Sequence, residues 1–375
     1  MKLAILREGS KIFSRNARIK IRGFRKYSGT DTEICRKIIF ECYNREKQYF
    51  MASGGNYKVF YSRDFGWCIE ALLNLGYTGE VEHTLKYVMK IYNQHQKITV
   101  AINTEDGPYN FPEVYSPDSV AYLYRSLRIA KAKTLIKEYQ EFLNDQLRIF
   151  ETEVLDKTSK AGRLQEKHFS GMRDHVNATN LCYDMIMACM LCDEVDKINH
   201  MMGKTFIFNV LKKYDLRNQL IKQYWNGKYF NDALEDKYCS GHANTYPYFL
   251  DVIKDKNMLR LSMWSIQDHN LDKPFPLKYG HSSKTRFIWH EIFAPNWEKN
   301  TMWAMLGLAY IEVLSKVDKK KAVEHLEQYT DSISKNHCFI ELYSRHRPYK
   351  SLFFSADDSM LWASMYLDLK RKLYK

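Results

Sequence analysis

The chain has 375 residues, of which 45% are hydrophobic, 14% aromatic and 27% charged, and its net charge is +13. That apolar content can build a large core, while only 8 Pro and 16 Gly argue against an all-β fold. The longest apolar run, Met185–Cys192, is far shorter than the roughly 20 residues that cross a bilayer, so no membrane span is expected.

The N-terminal segment is basic: nine Lys and Arg stand between Lys2 and Lys26 against one acid, Glu8. Its apolar stretch is too short for a secretory signal. Short strands at Lys2–Leu6 and Arg18–Phe24, or a partly mobile arm, are expected over residues 1–31. No candidate carboxylate lies in this arm, so it is expected to serve solubility or stability more than turnover. The basic balance raises the question of nucleic acid or another anionic surface. Elsewhere, however, lysines punctuate the outer faces of helices, which is ordinary solvation, and a nucleic-acid partner is not expected. Eight cysteines are scattered through apolar helical patterns and read as reduced and buried in a cytoplasmic protein. Cys189-x-x-Cys192 falls mid-helix, which speaks against a redox or metal role.

From Thr32 onward the pattern is helical and alternates. Amphipathic segments appear at about 33–49, 80–93, 134–155, 195–222, 256–265 and 319–335. Between them lie segments apolar nearly all round, at about 65–75, 118–130, 177–192, 243–253, 300–315 and 357–370. A helix apolar all round is buried and one with a charged face is outer. The link after each inner helix is short, as at Gly76–Gly79, Asp193-Glu194 and Lys316–Asp318; the link after each outer helix is long. Long loops in a compact domain are usually functional, and this alternation puts all six on one end. The expected architecture is all-α, an (α/α)6 toroid of six helical hairpins over 32–375.

Acidic residues punctuate the mouths of the inner helices. Tyr61-Ser-Arg63-Asp64-Phe-Gly-Trp67 opens the first, where an arginine beside a carboxylate can hold it ionised; a plain helix cap is the alternative. Tyr115-Ser-Pro-Asp118 opens the second, again with capping by Asp118 or Ser116 as the alternative. Phe169-Ser-Gly-Met-Arg-Asp174-His-Val-Asn177 precedes the most apolar helix. Tyr224–Asp232 reads as a hairpin bending at Asn226-Gly227, and Phe293–Trp303 carries Trp297 and Trp303. Near the end, Glu341 sits in the polar, aromatic segment Phe339-Ile-Glu-Leu-Tyr343. Ser355, Asp357 and Asp358 then look like the start of a last apolar helix. His168 with His175, and Cys239 with His242, are the thin case for zinc; no His-x-x-x-His pair or cysteine cluster supports it.

Taken together these stretches resemble the six-hairpin glycosidases, the clan of glucoamylases, trehalases and processing α-glucosidases. Members close with Phe-x-Glu-x-Tyr, a loop, Phe-Ser-Trp and an apolar helix ending near Leu-Asp-Leu. Here Phe339–Tyr343, Phe354-Ser355 and Leu367–Leu369 match, with Ala356 at the usual tryptophan. Tyr61–Asp64 is similar to the clan's Trp/Tyr-x-Arg-Asp, and Ser170–Asp174 to Ser-Gly-Trp-Asp, with Met172 near the expected tryptophan. The resemblance implies a carbohydrate substrate, no metal or organic cofactor, Asp174 as general acid and Glu341 as general base. Glu166 is the substitute acid. It further implies substrate contacts from Tyr61, Arg63, Asp64 and Asp118, with Trp67, Trp297 and Trp303 as stacking platforms unless they are core. The expected reaction is inverting hydrolysis of an α-glucoside from its non-reducing end. Rivals on the same scaffold are an unsaturated-uronide hydrolase, a sugar epimerase, or a non-catalytic toroid binding glycan or nucleic acid. Oligomeric state is left open.

Overall fold

The protein is described from a computed structural model covering residues 2–159, 161–173, 178–280, 294–345 and 347–374. Helix α1 spans Lys2–Arg22, and the ring begins with α2 (Asp31–Glu41). Thr30 starts α2 through a capping box: its hydroxyl accepts the Glu33 N–H, and the Glu33 carboxylate accepts the Thr30 N–H at 2.8 Å. The inner helices are α3 (Ser62–Asn74), α5 (Pro117–Ile129), α8 (Cys182–Met202), α10 (Gly241–Phe249), α12 (Ala304–Leu314) and α14 (Ala363–Leu373). Around them stand α2, α4 (Thr78–His95), α6 (Lys133–Glu138) with α7 (Gln140–Val154), α9 (Leu216–Tyr224), α11 (Lys256–Asp268) and α13 (Lys319–Asn336). Each inner helix packs on the next, and α14 returns to α3 to close the ring. Burial follows the hydropathy pattern: nearly every residue of α5 and α12 is buried, whereas α4 and α13 bury one stripe.

The six long loops meet on one end and are sewn to one another. The first holds a hairpin, β1 (Tyr43–Asn44) with β2 (Tyr49–Phe50), and ends in β3 (Phe60–Tyr61), which pairs with β4 (Ala101–Ile102) and β5 (Pro108–Tyr109) of the second. The Ser170 N–H of the third loop donates to the Tyr115 carbonyl of the second at 2.8 Å, and Cys182 N–H reaches Asp232 O of the fourth at 2.9 Å. Gly241 N–H joins the fourth to Tyr279 of the fifth at 2.8 Å. A Cβ at Gly241 would overlap the Lys278 carbonyl, so that seam needs glycine. The fifth and sixth share β6 (Met302–Trp303), β7 (Leu342–Ser344) and β8 (Arg347–Pro348). Gly54 N–H to Ser359 O and Leu361 N–H to Ala52 O, both 2.9 Å, close the circle.

Five expectations need correction. The basic arm is helix, not strand: Ile12, Arg15, Asn16 and Ile19 recur at three- and four-residue steps and turn one face to residues 352–358. The turn expected at Asp193-Glu194 does not occur, because α8 runs on to Met202 and stops at Gly203, whose φ of 73° suits glycine. Glu194 is instead buried, paired with Arg128. The segment 134–155 is split at Tyr139, and α2 ends at Glu41 before the β1–β2 hairpin. The last helix begins at Ala363, leaving Ser355, Asp357 and Asp358 in irregular backbone before it. The hairpin at Asn226-Gly227 forms as expected, with Trp225 opposite Phe230 and Gly227 at φ 96°.

Candidate active site

Glu341 is locked on both sides of its backbone: its N–H donates to Asp357 O and its carbonyl accepts from Ala304 N–H, each at 2.9 Å. Its side chain, 2% exposed, accepts the Asp357 N–H at 2.7 Å and a hydrogen bond from the Tyr57 phenol. Burial, and then the neighbouring Asp357 charge, push this carboxyl up to about 8. Asp357 in turn accepts Ser53 Oγ at 2.8 Å, the Ser359 N–H at 2.7 Å and the Asn56 N–H. A Cβ at Gly55 would overlap its carboxylate, so the first loop can wrap it only with glycine there. Burial raises the pKa of Asp357 as well.

At the first inner helix, Asp64 accepts the Trp362 indole N–H at 2.8 Å. Arg63 reaches across to Asp118, with Nε 2.8 Å from Oδ2. The arginine of the Tyr61–Asp64 stretch thus joins the first and second inner helices. Asp118 is fully buried and also accepts Ser116 Oγ at 2.6 Å and the Tyr183 phenol at 3.3 Å. Tyr61 stacks edge-on against Tyr57 and meets the Tyr109 hydroxyl at 3.4 Å. Trp67 lies lower, its indole donating to Tyr122 OH at 2.8 Å and its ring against Tyr246 and Trp362. Its partners stand on α5, α10 and the approach to α14, so it ties the first inner helix to three others. Trp297 and Trp303 are buried against each other, with Tyr349, Phe354 and Tyr279 around them.

Asp174 and His175 lie outside the described residues. Their neighbour Arg173 turns to Asp232 at 2.6 Å, and Tyr238 donates to the same carboxylate at 2.8 Å. Burial opposes the charge on Asp232, but Arg173, with hydrogen bonds from Ser240 and Tyr238, overcomes it and holds the carboxyl below its usual range. His242, 3.2 Å from Asp232, is pushed down to about 3 by burial and Arg173, so it stays neutral. Glu166 is exposed, beside a cavity of about 820 Å³ that α7 and α9 line through Thr152 and Gln223. All eight cysteines are free thiols. Among the described residues no group of three or more His, Cys, Asp or Glu is placed to hold a metal, and no helix is long and apolar enough to cross a membrane.

Three polar groups escaped the sequence reading. Asp184 is 1% exposed in the first turn of α8, and its Oδ1 has no hydrogen-bond partner among the described residues. Burial, then Asp118, raise it well above the usual carboxyl range, so it holds a proton. A lone charge inside Leu181–Leu191 was the available signal. Tyr57 and Arg15 carried none, because what they touch comes from the far end of the chain.

The fold is that of the six-hairpin glycosidases. A solved glycosidase variant in complex with glucose superposes with a TM-score of 0.71 at 9% identity, over 92% of this chain and 97% of its own. A glucoamylase from Saccharomycopsis fibuligera aligns with a TM-score of 0.60 at 10% identity, over 93% and 98% of the two chains. A mannosylglycerate hydrolase from Thermus thermophilus, solved with Tris and D-glycerate, gives 0.59 at 10%, over 91% and 100%. No family model matches the sequence, and no curated protein matches it.

Proposed function

We propose that the chain is a glycoside hydrolase working at the loop-bearing mouth of the toroid, with 32–375 as its catalytic domain. The observation that carries this reading is Glu341. It is a buried carboxyl fixed by a backbone N–H and a phenol at the mouth of a scaffold shared with sugar-cleaving enzymes. Once ionised, so raised a group is a strong base towards a bound water. Asp174 is assigned the complementary task of protonating the glycosidic oxygen, and attack from the opposite face then inverts the anomeric carbon. Asp64, and Asp118 with Arg63, orient sugar hydroxyls; Tyr61, Trp297 and Trp303 border the sugar, and Trp67 is its floor. The proposed substrate is an α-glucoside cleaved from its non-reducing end.

A hydrolysis panel of trehalose, maltose, isomaltose, sucrose, α-mannosides and glycogen tests the class. Proton NMR of the first sugar released, read before mutarotation, tests the stereochemistry: an α-glucoside should give the β-anomer. Release of the α-anomer would overturn inversion, and silence across the whole panel would overturn the glucoside assignment.

A further inference from the structure

The basic helix α1 lies over the sixth loop where it meets the first. Ile19 is fully buried in that contact. Asn16 donates to Leu352 O at 3.1 Å and accepts Ser355 Oγ at 2.6 Å. One helical step away, the Arg15 guanidinium forms an ion pair with Asp358 at 2.6 Å. It also donates to Asn56 Oδ1 at 2.9 Å and to Ala356 O at 3.3 Å. The arginine therefore enters the seam where Asn56 and Asp357 join, one residue beyond the backbone that holds Glu341.

That seam is short of positive charge. Glu341, Asp357 and Asp358 are three buried carboxyls, each exposed by 2% or less. Facing them from the first loop is a neutral phenol, Tyr57. Arg25 offers Asp358 only its backbone N–H, at 2.8 Å, because its guanidinium sits on Glu41 of α2. Tyr27 bridges Glu41 and Ser359 and adds no cation. Among the described residues the cation paired with this cluster is Arg15.

We propose that Arg15 is a positioning residue of the active site, acting through the Asp357–Asp358 pair to let Glu341 ionise, and that α1 is thereby a working part of the mouth. The proposal rests on the reading of Glu341 as the base. Its physical content is that an uncompensated pair of buried carboxylates would keep Glu341 protonated and useless as a base. The guanidinium charge favours the ionised forms of both Glu341 and Asp357. The segment that the sequence assigns to stability thus sets how much of the enzyme holds a usable base.

The test reads Glu341 directly and needs no substrate: a carboxyl-carbon NMR titration of protein labelled at its glutamates, with the Glu341 signal assigned by its loss in Glu341→Gln. In Arg15→Met the Glu341 midpoint should rise by about one pH unit, and Arg15→Lys should restore most of the shift. An unchanged midpoint in folded Arg15→Met overturns the proposal, as does a lysine variant that behaves like methionine. Arg15→Met leaves Asp358 without its partner, so the same substitution is also made in an Asp358→Asn background, where that orphaned charge is gone. There too the midpoint must rise relative to Asp358→Asn alone, and no rise overturns the proposal. A shift in a protein that cleaves no glycoside would sink the proposed reaction while leaving the Arg15–Glu341 coupling intact.

Discussion

The mouth has two acidic sides, and they are built differently. Around the third and fourth loops, Asp118 is paired with Arg63, and Asp232 with Arg173, Tyr238 and His242. Around the sixth loop, Arg15 pairs with Asp358, and its charge also reaches Glu341 and Asp357. Both sides are buried to the same degree, yet Asp232 is held below its usual range while Glu341 is pushed up to about 8. Burial raises both; the ratio of guanidinium groups to carboxyls decides which stays ionised. On the first side Asp232, with an arginine of its own, keeps its charge, while Asp184, which has none, keeps a proton; on the second side Glu341 is the raised carboxyl.

The largest effect should come from removing the raised carboxyl of the second side. Glu341→Gln keeps size and polarity, so it should fold with an unchanged far-UV circular dichroism spectrum while turnover falls by about 10²–10⁴-fold. Full activity in that variant would remove the residue on which the proposed function turns.

Breaking the ion pair of the first side should damage stability. Arg173→Met strips Asp232 of its guanidinium partner, and orphaning one member of a buried ion pair costs about 3–5 kcal/mol. Denaturant unfolding would measure it. A loss under about 1 kcal/mol would mean that Asp232 is neutralised by protonation at little cost.

Stability should also depend on pH in opposite senses on the two sides. The folded-state pKa of Glu341 lies above its ordinary value of 4.5, at about 8. The folded chain therefore binds the extra proton between those limits, and stability falls as pH rises through that window. Glu341→Gln cannot ionise, so its melting temperature should gain on the wild type between pH 5 and pH 9. Asp232, whose pKa is depressed, contributes stability that is present above the ordinary Asp value and lost as pH falls below it. Melting curves of Glu341→Gln and wild type that stay parallel from pH 5 to pH 9 would erase the contrast.

The smallest effect belongs to Glu166→Gln. An exposed carboxyl on the outer rim should shift stability by no more than about 0.5 kcal/mol and leave the pH profile of turnover in place. A shifted alkaline limb would return Glu166 to the mechanism in place of Asp174.

Local pattern was enough to place most of the ring. Apolar-all-round and one-faced segments alternate because inner helices meet protein on every side and outer helices on one, and the loop lengths put all six loops at one end. Glu341 and Asp64 stood out because they are acidic residues at the mouths of those helices. Local pattern failed where a residue's partner comes from the far end of the chain. The arm became helix because Arg15, Asn16 and Ile19 find residues 352–358 to pack on. Ser355–Asp358 did not start a helix because Asp357 serves Ser53 and Asn56, and Asp358 serves Arg15 and Arg25. Helix propensity and periodicity are properties of neighbours in sequence. The protonation of Glu341 is set by desolvation, by the charges of residues 15 and 357 and by the hydrogen bond from the Tyr57 phenol, and only the closed ring brings those together.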